Sequence, residues 1–338
     1  MAPWIPRLHL FEIADQSWFP PFLRAYVQAG LTHAWTTRVP LLQPCSPATL
    51  VANILRRELG ASVSSYTYID FCAGAGGPTP YIEQALNQQL DATRSSSSPA
   101  SSDDNSSSTT SASSYAAVAA QSPAQSRSHT ASVRDRNRNE PVKFILTDLH
   151  PHVESWEKAA SKSPHLTYVS TPVDAAAAPP DLIIQNKMGG KGVFRLFNLA
   201  FHHFDDDLAR AILKNTVSTS DGFGIFELQS RTFSSFVSCM LFGMFIFLIA
   251  PLLYWWSPQI LFFVYVVPIV PFVLVFDGLI SSVRTRTADE VEILLRTCGS
   301  GGNTAHWVVR SGSETFLWPC GHLTWIICAK KDDSERLS

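Results

Sequence analysis

The chain has 338 residues and a formal net charge of −2, so it is long enough for one domain with insertions and lacks the basic surface on which nucleic-acid binding depends. Its six cysteines show no paired C-x-x-C spacing, and we therefore expect no metal site and a reducing, cytosolic environment. No secretory signal is expected, because the N-terminus has no charged segment followed by an apolar run.

The N-terminal residues 1–60 are predicted to form a helical cap. Phe22 to Thr32 has the spacing of a helix, within a region rich in aromatic side chains. Packing against a sheet is the expected role of these aromatic residues, because large apolar side chains are usually buried.

The segment from Tyr68 to Pro80, YIDFCAGAGGPTP, predicts a strand, a tight glycine turn and the start of a helix. Glycines let a ligand lie against bare backbone, and a helix N-terminus offers unpaired N–H groups. Asp70 stands at the end of the strand, where open α/β sheets bind their ligands. Thr79 occupies the third glycine position of the dinucleotide fingerprint, which disfavours a nicotinamide-dependent oxidoreductase. An ordinary connection without a ligand is the alternative.

A Ser-rich insertion, residues 94–139, is predicted to be disordered, because it has almost no large apolar side chains to bury. A second apolar strand, Val142 to Thr147, follows it and ends at Asp148. Without the insertion, the distance from Gly74 to Asp148 approaches the roughly 20 residues that separate a glycine turn from an acidic ribose-binding residue. The two motifs together favour an adenosine-type ligand.

The rest of the chain alternates predicted strands and helices. The strands are Tyr168 to Ala175 (ending near Asp174), Val193 to Phe204, Phe223 to Leu228, Thr304 to Val309 and Leu323 to Lys330, and the helices are Leu208 to Asn215 and Thr287 to Arg296. This order predicts an α/β fold with a doubly wound, mostly parallel Rossmann-like sheet. The last two strands are expected to close the sheet as an antiparallel pair.

An apolar block, residues 232–279, separates the fifth predicted strand from the closing strands. It contains two apolar stretches, Phe233 to Trp256 and Ile260 to Leu279, each close to the roughly 20 residues that cross a bilayer. Three interpretations stay open: a membrane-spanning or re-entrant hairpin, two helices lying on the membrane surface, or a soluble lid over the active site. The length of the stretches favours a membrane-associated hairpin. Arginines on both sides indicate that both ends face the cytoplasm: Arg231, Arg284 and Arg286.

Five segments, in this order along the chain, resemble the class I S-adenosylmethionine-dependent methyltransferases, and a bacterial and fungal subgroup most closely: IDFCAGAGGPTP, LTDLHPH, PVDA, FNLAFHHFDDDLARAIL and IFELQSR. The resemblance implies S-adenosyl-L-methionine as the cofactor and a Rossmann-like domain formed by residues 61–231 and 280–331. Cys72 and Ala73 stand where many members carry a glycine or another small residue, but both keep the small size. The implied cofactor-binding residues are Asp70, Cys72, Ala73, Gly74, Ala75, Gly76, Pro78, Asp148, Leu149, Asp174 and Ala175.

Methyl transfer from a sulfonium is an in-line displacement, which depends chiefly on bringing the acceptor and the methyl group together. His202, His203 and Glu227 are the candidate catalytic residues, because they lie at the ends of the fourth and fifth predicted strands. A histidine there can accept a proton near neutral pH. Structural hydrogen bonding and packing are the alternative roles for these side chains.

The resemblance also implies that the N-terminal cap covers the cofactor cleft, which makes Glu12, Asp15 and Trp18 candidates for the substrate pocket. The sequence therefore predicts an S-adenosylmethionine-dependent methyltransferase associated with a membrane, with its catalytic domain facing the cytoplasm. Its acceptor is a small molecule or a lipid-like compound, and the apolar block favours a lipophilic one. A catalytically silent S-adenosylmethionine-binding or membrane-scaffold protein is the alternative.

Overall fold

The computed structural model describes residues 3, 5–97, 140–187, 190–300 and 304–331. At its centre lies a sheet of seven strands: β1 (Tyr66–Asp70), β2 (Phe144–Leu146), β3 (Leu166–Tyr168), β4 (Gly192–Asn198), β5 (Gly222–Glu227), β6 (Trp307–Leu317) and β7 (Gly321–Lys330). Their order across the sheet is β3-β2-β1-β4-β5-β7-β6. The first five strands run parallel, and β7 is antiparallel to both β5 and β6.

This topology confirms the predicted doubly wound α/β sheet with an antiparallel closing pair. Strands β4 and β5 are buried along nearly their whole length, as is typical of central parallel strands that helices cover on both faces. The chain winds outward from β1 to β3 and then returns to β4 beside β1. The carboxyl ends of β1 and β4 therefore form a topological switch point, where sheets of this class bind ligands.

Helices cover both faces of the sheet. They are α1 (Pro21–Thr36), α2 (Pro47–Leu59), α3 (Thr79–Ser97), α4 (Val153–Ala160), α5 (Pro180–Lys187), α6 (Asp206–Thr219), α7 (Phe233–Leu253), α8 (Pro258–Leu261), α9 (Ile269–Arg284) and α10 (Ala288–Thr297). One core lies between the sheet and α2, α3 and α4, and the other between the sheet and α5, α6 and α10.

Several predicted boundaries were wrong. Asp174 does not end a strand, because β3 stops at Tyr168 and Pro172, which has no N–H to donate to a sheet, follows it in the connecting segment. The expected insertion at 94–139 begins inside α3, whose last residue is Ser97. Residues 98–139 lie outside the described residues. The closing strand β6 runs to Leu317, well beyond the predicted end at Val309.

The apolar block forms α7, a break at Ser257, the short α8 with a π-helical turn (Phe262–Val266), and α9. By length and composition α7 could cross a membrane, and the bent pair 258–266 and 269–284 counts as a second span if it is treated as one unit. A core helix of a soluble protein passes the same test, but only 17% of the tested window of α7 is buried. Large apolar side chains point outward from this block, including Met244, Leu248, Leu252, Trp255, Trp256 and Phe272.

The aromatic residues of the N-terminal segment were predicted to pack against the sheet. Most of them pack against the apolar block instead. Phe19, Leu23 and Val27 form a third core with side chains of α7 and α9 such as Ala250 and Leu274. The reason is that α1 lies against α9, which offers an apolar surface of its own. Trp35, at the end of α1, is the exception and joins the core under α2.

The three arginines that flank the apolar block are buried inside the protein. Arg231 pairs with Glu290, Arg286 with Asp206 at 2.8 Å, and Arg284 with Glu12 at 3.2 Å. Since these charges are neutralised within the fold, they carry no information about membrane orientation. The orientation toward the cytoplasm stays a prediction.

Gly243 sets the close approach of α7 to α9, because a Cβ added there would collide with Cγ2 of Val275. We expect Gly243→Ala to destabilise the protein by about 1–3 kcal/mol, through overpacking that outweighs the gain in helix propensity. Adding Val275→Ala removes the colliding methyl groups and should restore most of the loss. Thermal unfolding in detergent, followed by tryptophan fluorescence, measures both effects. An unchanged midpoint for Gly243→Ala would contradict the close contact.

Candidate active site

Polar side chains converge where β1, β4 and β5 end. Asp70 closes β1, Asn198 closes β4, and Glu227 closes β5. The register places Asp70 opposite Leu196, and Asn198 opposite Phe226, so the three polar side chains belong to one edge of the sheet. All three are buried.

Asp70 is held by donors from three directions. Its Oδ2 accepts hydrogen bonds from the Thr79 hydroxyl and from Nδ2 of Asn198 (3.3 Å), and its Oδ1 accepts one from the backbone N–H of Cys72 (3.2 Å). Burial raises the pKa of Asp70 to about 6. Among the described residues, no basic side chain forms an ion pair with Asp70. Nearby, Oδ1 of Asn198 is buried and accepts no hydrogen bond from any residue that the structure describes.

The glycine loop, Ala73–Gly77, links β1 to α3. Gly74, Gly76 and Gly77 have φ values of +51°, +108° and +47°, in the left-handed region that favours glycine. A Cβ added to Gly74 would meet no atom within 4 Å, so open space lies beside its backbone. The loop thus presents bare main chain next to the buried Asp70.

Two side chains that follow β2 in the chain, Asp148 and Trp156 of α4, form hydrogen bonds to the glycine loop. Oδ2 of Asp148 accepts a hydrogen bond from the Gly74 N–H (2.8 Å), and Oδ1 accepts one from the N–H of His150 (2.8 Å). Nε1 of Trp156 donates to the Gly74 carbonyl oxygen (2.9 Å). The sequence predicted that Asp148 and the glycine loop bind the same ligand, and the structure places the two in contact. Each oxygen of the half-buried carboxylate keeps a second lone pair for a ligand.

The other residues predicted at this site lie around it in varied surroundings. Cys72 is half-buried, Ala73 and Pro78 are buried, and Leu149 is exposed. Asp174 is exposed and accepts a hydrogen bond from the N–H of Ala176.

Ala175 is held in place by a buried arginine. Its carbonyl oxygen accepts a hydrogen bond from Nη1 of Arg195 at 3.0 Å. Arg195 also donates to Asn215, Thr219 and Ser220, and its guanidinium lies over the ring of Phe71. The side chain is therefore surrounded by oxygen acceptors on the face of the sheet that α6 covers. Burial lowers the pKa of Arg195 to about 9, which leaves it charged at neutral pH.

A second group of polar side chains surrounds the end of β5, and we call it the Glu12 cluster: Glu12, Asp15, His202, His203 and Glu227. Nδ1 of His202 lies 2.8 Å from Oε2 of Glu227, and Nε2 of the same ring lies 3.6 Å from Oε1 of Glu12. Nδ1 of His203 lies 3.0 Å from Oδ2 of Asp15. The structure therefore brings all three predicted catalytic residues together with two of the three residues predicted in the N-terminal segment.

Burial dominates the electrostatics of the Glu12 cluster. It raises the pKa of Glu12 to about 7 and that of Glu227 to about 8, and it lowers the pKa of His202 to about 3. Uncharged forms are favoured because the low-dielectric interior penalises isolated charges. His203 and Asp15, by contrast, are partly exposed and form the open side of the cluster.

Helix α9 of the apolar block completes the Glu12 cluster. Arg284 lies 3.2 Å from Glu12, and the hydroxyl of Ser281 donates to Oε1 of Glu12 at 3.0 Å. Asp277 accepts hydrogen bonds from the backbone N–H groups of residues 13 and 14, at 2.7 and 2.9 Å, which fixes the segment that carries Glu12. One helix therefore connects the apolar surface to the polar cluster.

Three residues that hold the Asp70 site and the Glu12 cluster together were missed by the sequence analysis. Asn198 and Thr79 were not predicted at the site, although both contact Asp70. Asp277 offered a usable signal, because an acidic residue in an otherwise apolar stretch is usually functional. Trp18, predicted at the substrate pocket, is exposed and contacts Phe19 instead.

No family model and no curated protein matches this chain. Solved structures that match include an O-methyltransferase family protein from Burkholderia thailandensis, with 11% identity, a TM-score of 0.39, and coverage of 84% of this chain and 56% of that one. This chain thus spans little more than half the length of that protein. Another is Rv0187 from MTB, described as cofactor-bound, with 7% identity, a TM-score of 0.34, and coverage of 95% and 94%.

A protein from Rhodobacter sphaeroides, described as a Zn-dependent alcohol dehydrogenase, has 10% identity, a TM-score of 0.37, and coverage of 90% and 98%. The TM-scores of a dehydrogenase and of a methyltransferase family protein are thus nearly equal, and all three TM-scores lie below 0.5. Because these similarities do not distinguish the two functions, the function is inferred from the residues of the site.

Asp70 should make stability depend on pH in a defined direction. Its pKa is higher in the folded protein, about 6, than the ordinary 3.8, so the stability present at low pH is lost as the pH rises through 6. Asp70→Asn removes this loss, and its amide oxygen can still accept the Thr79 hydrogen bond. We expect the variant to match the wild type near pH 4 and to exceed its free energy of unfolding by up to about 3 kcal/mol at pH 7.

Urea unfolding without added ligand, at both pH values, measures this difference. The same pH dependence in the variant and the wild type would contradict the role assigned to Asp70.

Proposed function

We propose that this protein is an S-adenosylmethionine-dependent methyltransferase. The observation that supports this most is Asp70, a buried carboxylate without a cationic partner among the described residues, next to a glycine loop with open space beside Gly74. A buried carboxylate of this kind is stabilised by a cationic ligand. S-adenosylmethionine carries an ammonium group and a sulfonium group, and when bound it supplies an activated methyl group.

The residues around the glycine loop fit the other parts of this cofactor. The unpartnered Oδ1 of Asn198 would accept a hydrogen bond from the ammonium group. Asp148, with a free lone pair on each oxygen, would accept hydrogen bonds from the ribose hydroxyls. Leu149 offers an exposed apolar side chain to the adenosine, and Asp174 and Ala175 would border the adenine ring.

The Glu12 cluster is the proposed site of the acceptor. It adjoins the glycine loop through β4, because Asn198 contacts Asp70 and His202 follows four residues later. Leu199, between them, has φ +54°, and such strain in a residue other than glycine is typical of functional sites. A buried polar cluster also costs stability, which favours an enzyme over a silent scaffold.

S-adenosylmethionine held beside Asp70 and Asp148 would supply the methyl group to the acceptor atom, and its sulfur would leave as a neutral thioether. The protein's task is to align the acceptor with the methyl group and to exclude water. His203 and Asp15 border the open side of the cluster, where an acceptor can meet them. One of these two side chains takes the proton of an acceptor hydroxyl. Glu227 orients the His202 ring through a contact of 2.8 Å.

The acceptor is proposed to be lipophilic and to come from a membrane. Helix α9 supports this, because Phe272 faces outward from it while Asp277, Ser281 and Arg284 reach the Glu12 segment. An amphipathic acceptor could place its apolar part along the apolar block and its polar group in the cluster. The catalytic domain would then lie against the membrane surface.

Gly74→Ala tests cofactor binding, and Gly60→Ala is its matched control. Both glycines have φ close to +50°, and an added Cβ at either would meet no atom within 4 Å. Alanine is therefore strained at both positions, and more so at Gly60, whose ψ of −126° lies outside the left-handed helical region. Only Gly74 adjoins Asp70 and Asp148. We therefore expect S-adenosylmethionine to bind the Gly74→Ala variant at least about tenfold more weakly than the wild type, a difference of about 1.4 kcal/mol in binding free energy. We expect the Gly60→Ala variant to bind it with wild-type affinity.

Isothermal titration gives the affinities, and formation of S-adenosylhomocysteine with a lipid extract as acceptor measures turnover. Equal affinity in both variants would contradict the cofactor site. Binding without any turnover would favour the catalytically silent alternative.

Leu248→Glu tests membrane contact, with Ile184→Glu on α5 as the control, because both replace an exposed aliphatic side chain. A charge at the centre of a membrane-inserted helix costs about 2.5–3.5 kcal/mol. We expect Leu248→Glu to reduce co-flotation with phosphatidylcholine vesicles strongly and Ile184→Glu to leave it unchanged. Wild-type protein that fails to float, or that methylates only water-soluble acceptors without vesicles, would contradict the membrane assignment.

A further inference from the structure

Two histidines and a carboxylate of the Glu12 cluster point their ligand atoms at one small volume. Oε1 of Glu12 lies 3.6 Å from Nε2 of His202, and Oε2 of Glu12 lies 3.9 Å from Nδ1 of His203. The ligand atoms of the three residues all lie within 4.8 Å of one another. We propose that Glu12, His202 and His203 bind a divalent transition-metal cation.

The separations suit such an ion. Bonds of about 2.0–2.2 Å from nitrogen and oxygen ligands to one metal place those ligands about 3–4 Å apart, so small side-chain movements would complete the site. Two imidazoles with one carboxylate are a ligand set that transition metals such as zinc, cobalt and iron prefer over magnesium or calcium. Asp15, whose Oδ2 lies 3.0 Å from Nδ1 of His203, borders this group on its open side.

The surroundings resemble the outer shell of a metal site. A metal-binding histidine usually turns its second ring nitrogen to a carboxylate, and Nδ1 of His202 lies 2.8 Å from Glu227. Glu12 is oriented in turn by the hydroxyl of Ser281 at 3.0 Å. Both contacts fix the direction in which the ligand atoms point.

The balance of charge also favours a cation. Four carboxyl groups lie in or beside the cluster, those of Glu12, Asp15, Glu227 and Asp277, whereas Arg284 is the basic side chain that pairs with Glu12 and Asp15. A buried group of carboxyls must be protonated or must be compensated by positive charge. A divalent cation would add positive charge beside Arg284, since Arg7 and Arg286, which also act on His202, are already paired with Asp206.

A metal site was not expected from the sequence, because its ligands lie about 190 residues apart and show no metal-binding spacing. Bound there, the cation would hold an acceptor oxygen and lower its pKa. That catalytic role rests on the proposed function, whereas binding of the metal does not, so the experiment measures binding.

Cobalt(II) is the probe, because its visible absorption reports coordination by nitrogen and oxygen directly. Full-length protein in detergent is treated with a chelator, exchanged into metal-free buffer and titrated with Co²⁺. We expect a band that saturates near one equivalent, is displaced by Zn²⁺ and is unaffected by millimolar Mg²⁺. Absence of a saturable band, or displacement by Mg²⁺ as readily as by Zn²⁺, would overturn the proposal.

His203→Ala should weaken Co²⁺ binding at least tenfold, and His165→Ala, a histidine at the start of β3, should leave it unchanged. His203 is partly exposed, so its loss should not prevent folding. Glu12→Gln is a second ligand variant of nearly the same volume, and circular dichroism checks that both variants are folded. Co²⁺ spectra identical in the wild type, His203→Ala and Glu12→Gln would identify binding at other histidines and refute this site.

The outcome is separable from that of the methyltransferase assay. Retained S-adenosylmethionine binding with no Co²⁺ site would refute the metal and spare the proposed function. Co²⁺ binding without S-adenosylmethionine binding would do the reverse.

Discussion

The buried carboxylate of Asp70 is the constraint on which the arrangement of the site depends. Burying a carboxylate costs free energy unless hydrogen-bond donors surround it. Thr79, Cys72 and Asn198 each provide one donor. Because these donors come from the start of α3, the turn directly after β1, and β4, the same carboxylate joins three parts of the fold. The left-handed glycines follow from this, since the chain must turn sharply to bring Thr79 back to the end of β1.

The apolar block is joined to the sheet through the N-terminal segment. Asp277 accepts two backbone hydrogen bonds from that segment, Arg284 pairs with Glu12, and the apolar residues of α1 cover the inner side of α9. The block is therefore part of the wall of the polar cluster. A movement of α9 relative to the sheet would displace Glu12, so any membrane surface that holds α9 can also influence the proposed acceptor site.

The Asp70 site and the Glu12 cluster, both at the carboxyl edge of the sheet, differ in the positive charge that is paired with their carboxyl groups. Within the described part of the chain, Asp70 has donors but no cationic partner, which suits a cationic ligand at the glycine loop. The Glu12 cluster has an arginine but more carboxyl groups than that arginine can neutralise, which suits a metal or a proton-bearing acceptor. Asn198 and the strained Leu199 lie between these groups. Both proposals thus arise from one feature, which is buried carboxyl groups that outnumber the basic side chains paired with them.

The sequence by itself determined the succession of strands along the chain, the parallel sheet with its closing pair, and the loop with Asp70, because apolar periodicity and glycine turns are local signals. It did not predict the helices α2, α4 and α5. It also placed His202, His203 and Glu227 at one edge of the sheet. The fourth strand, predicted to reach Phe204, ends at Asn198, so His202 and His203 lie in a turn after β4 rather than at its end.

Only the tertiary structure decided what these residues contact. Glu12 and His202 are about 190 residues apart, and no local pattern encodes their distance of 3.6 Å. The arginines beside the apolar block looked like membrane-flanking charges, yet they are buried in ion pairs. Asp174 was placed at a strand end although Pro172 precedes it. Spacing specifies the secondary structure, but the pairing of buried charges depends on how distant segments pack.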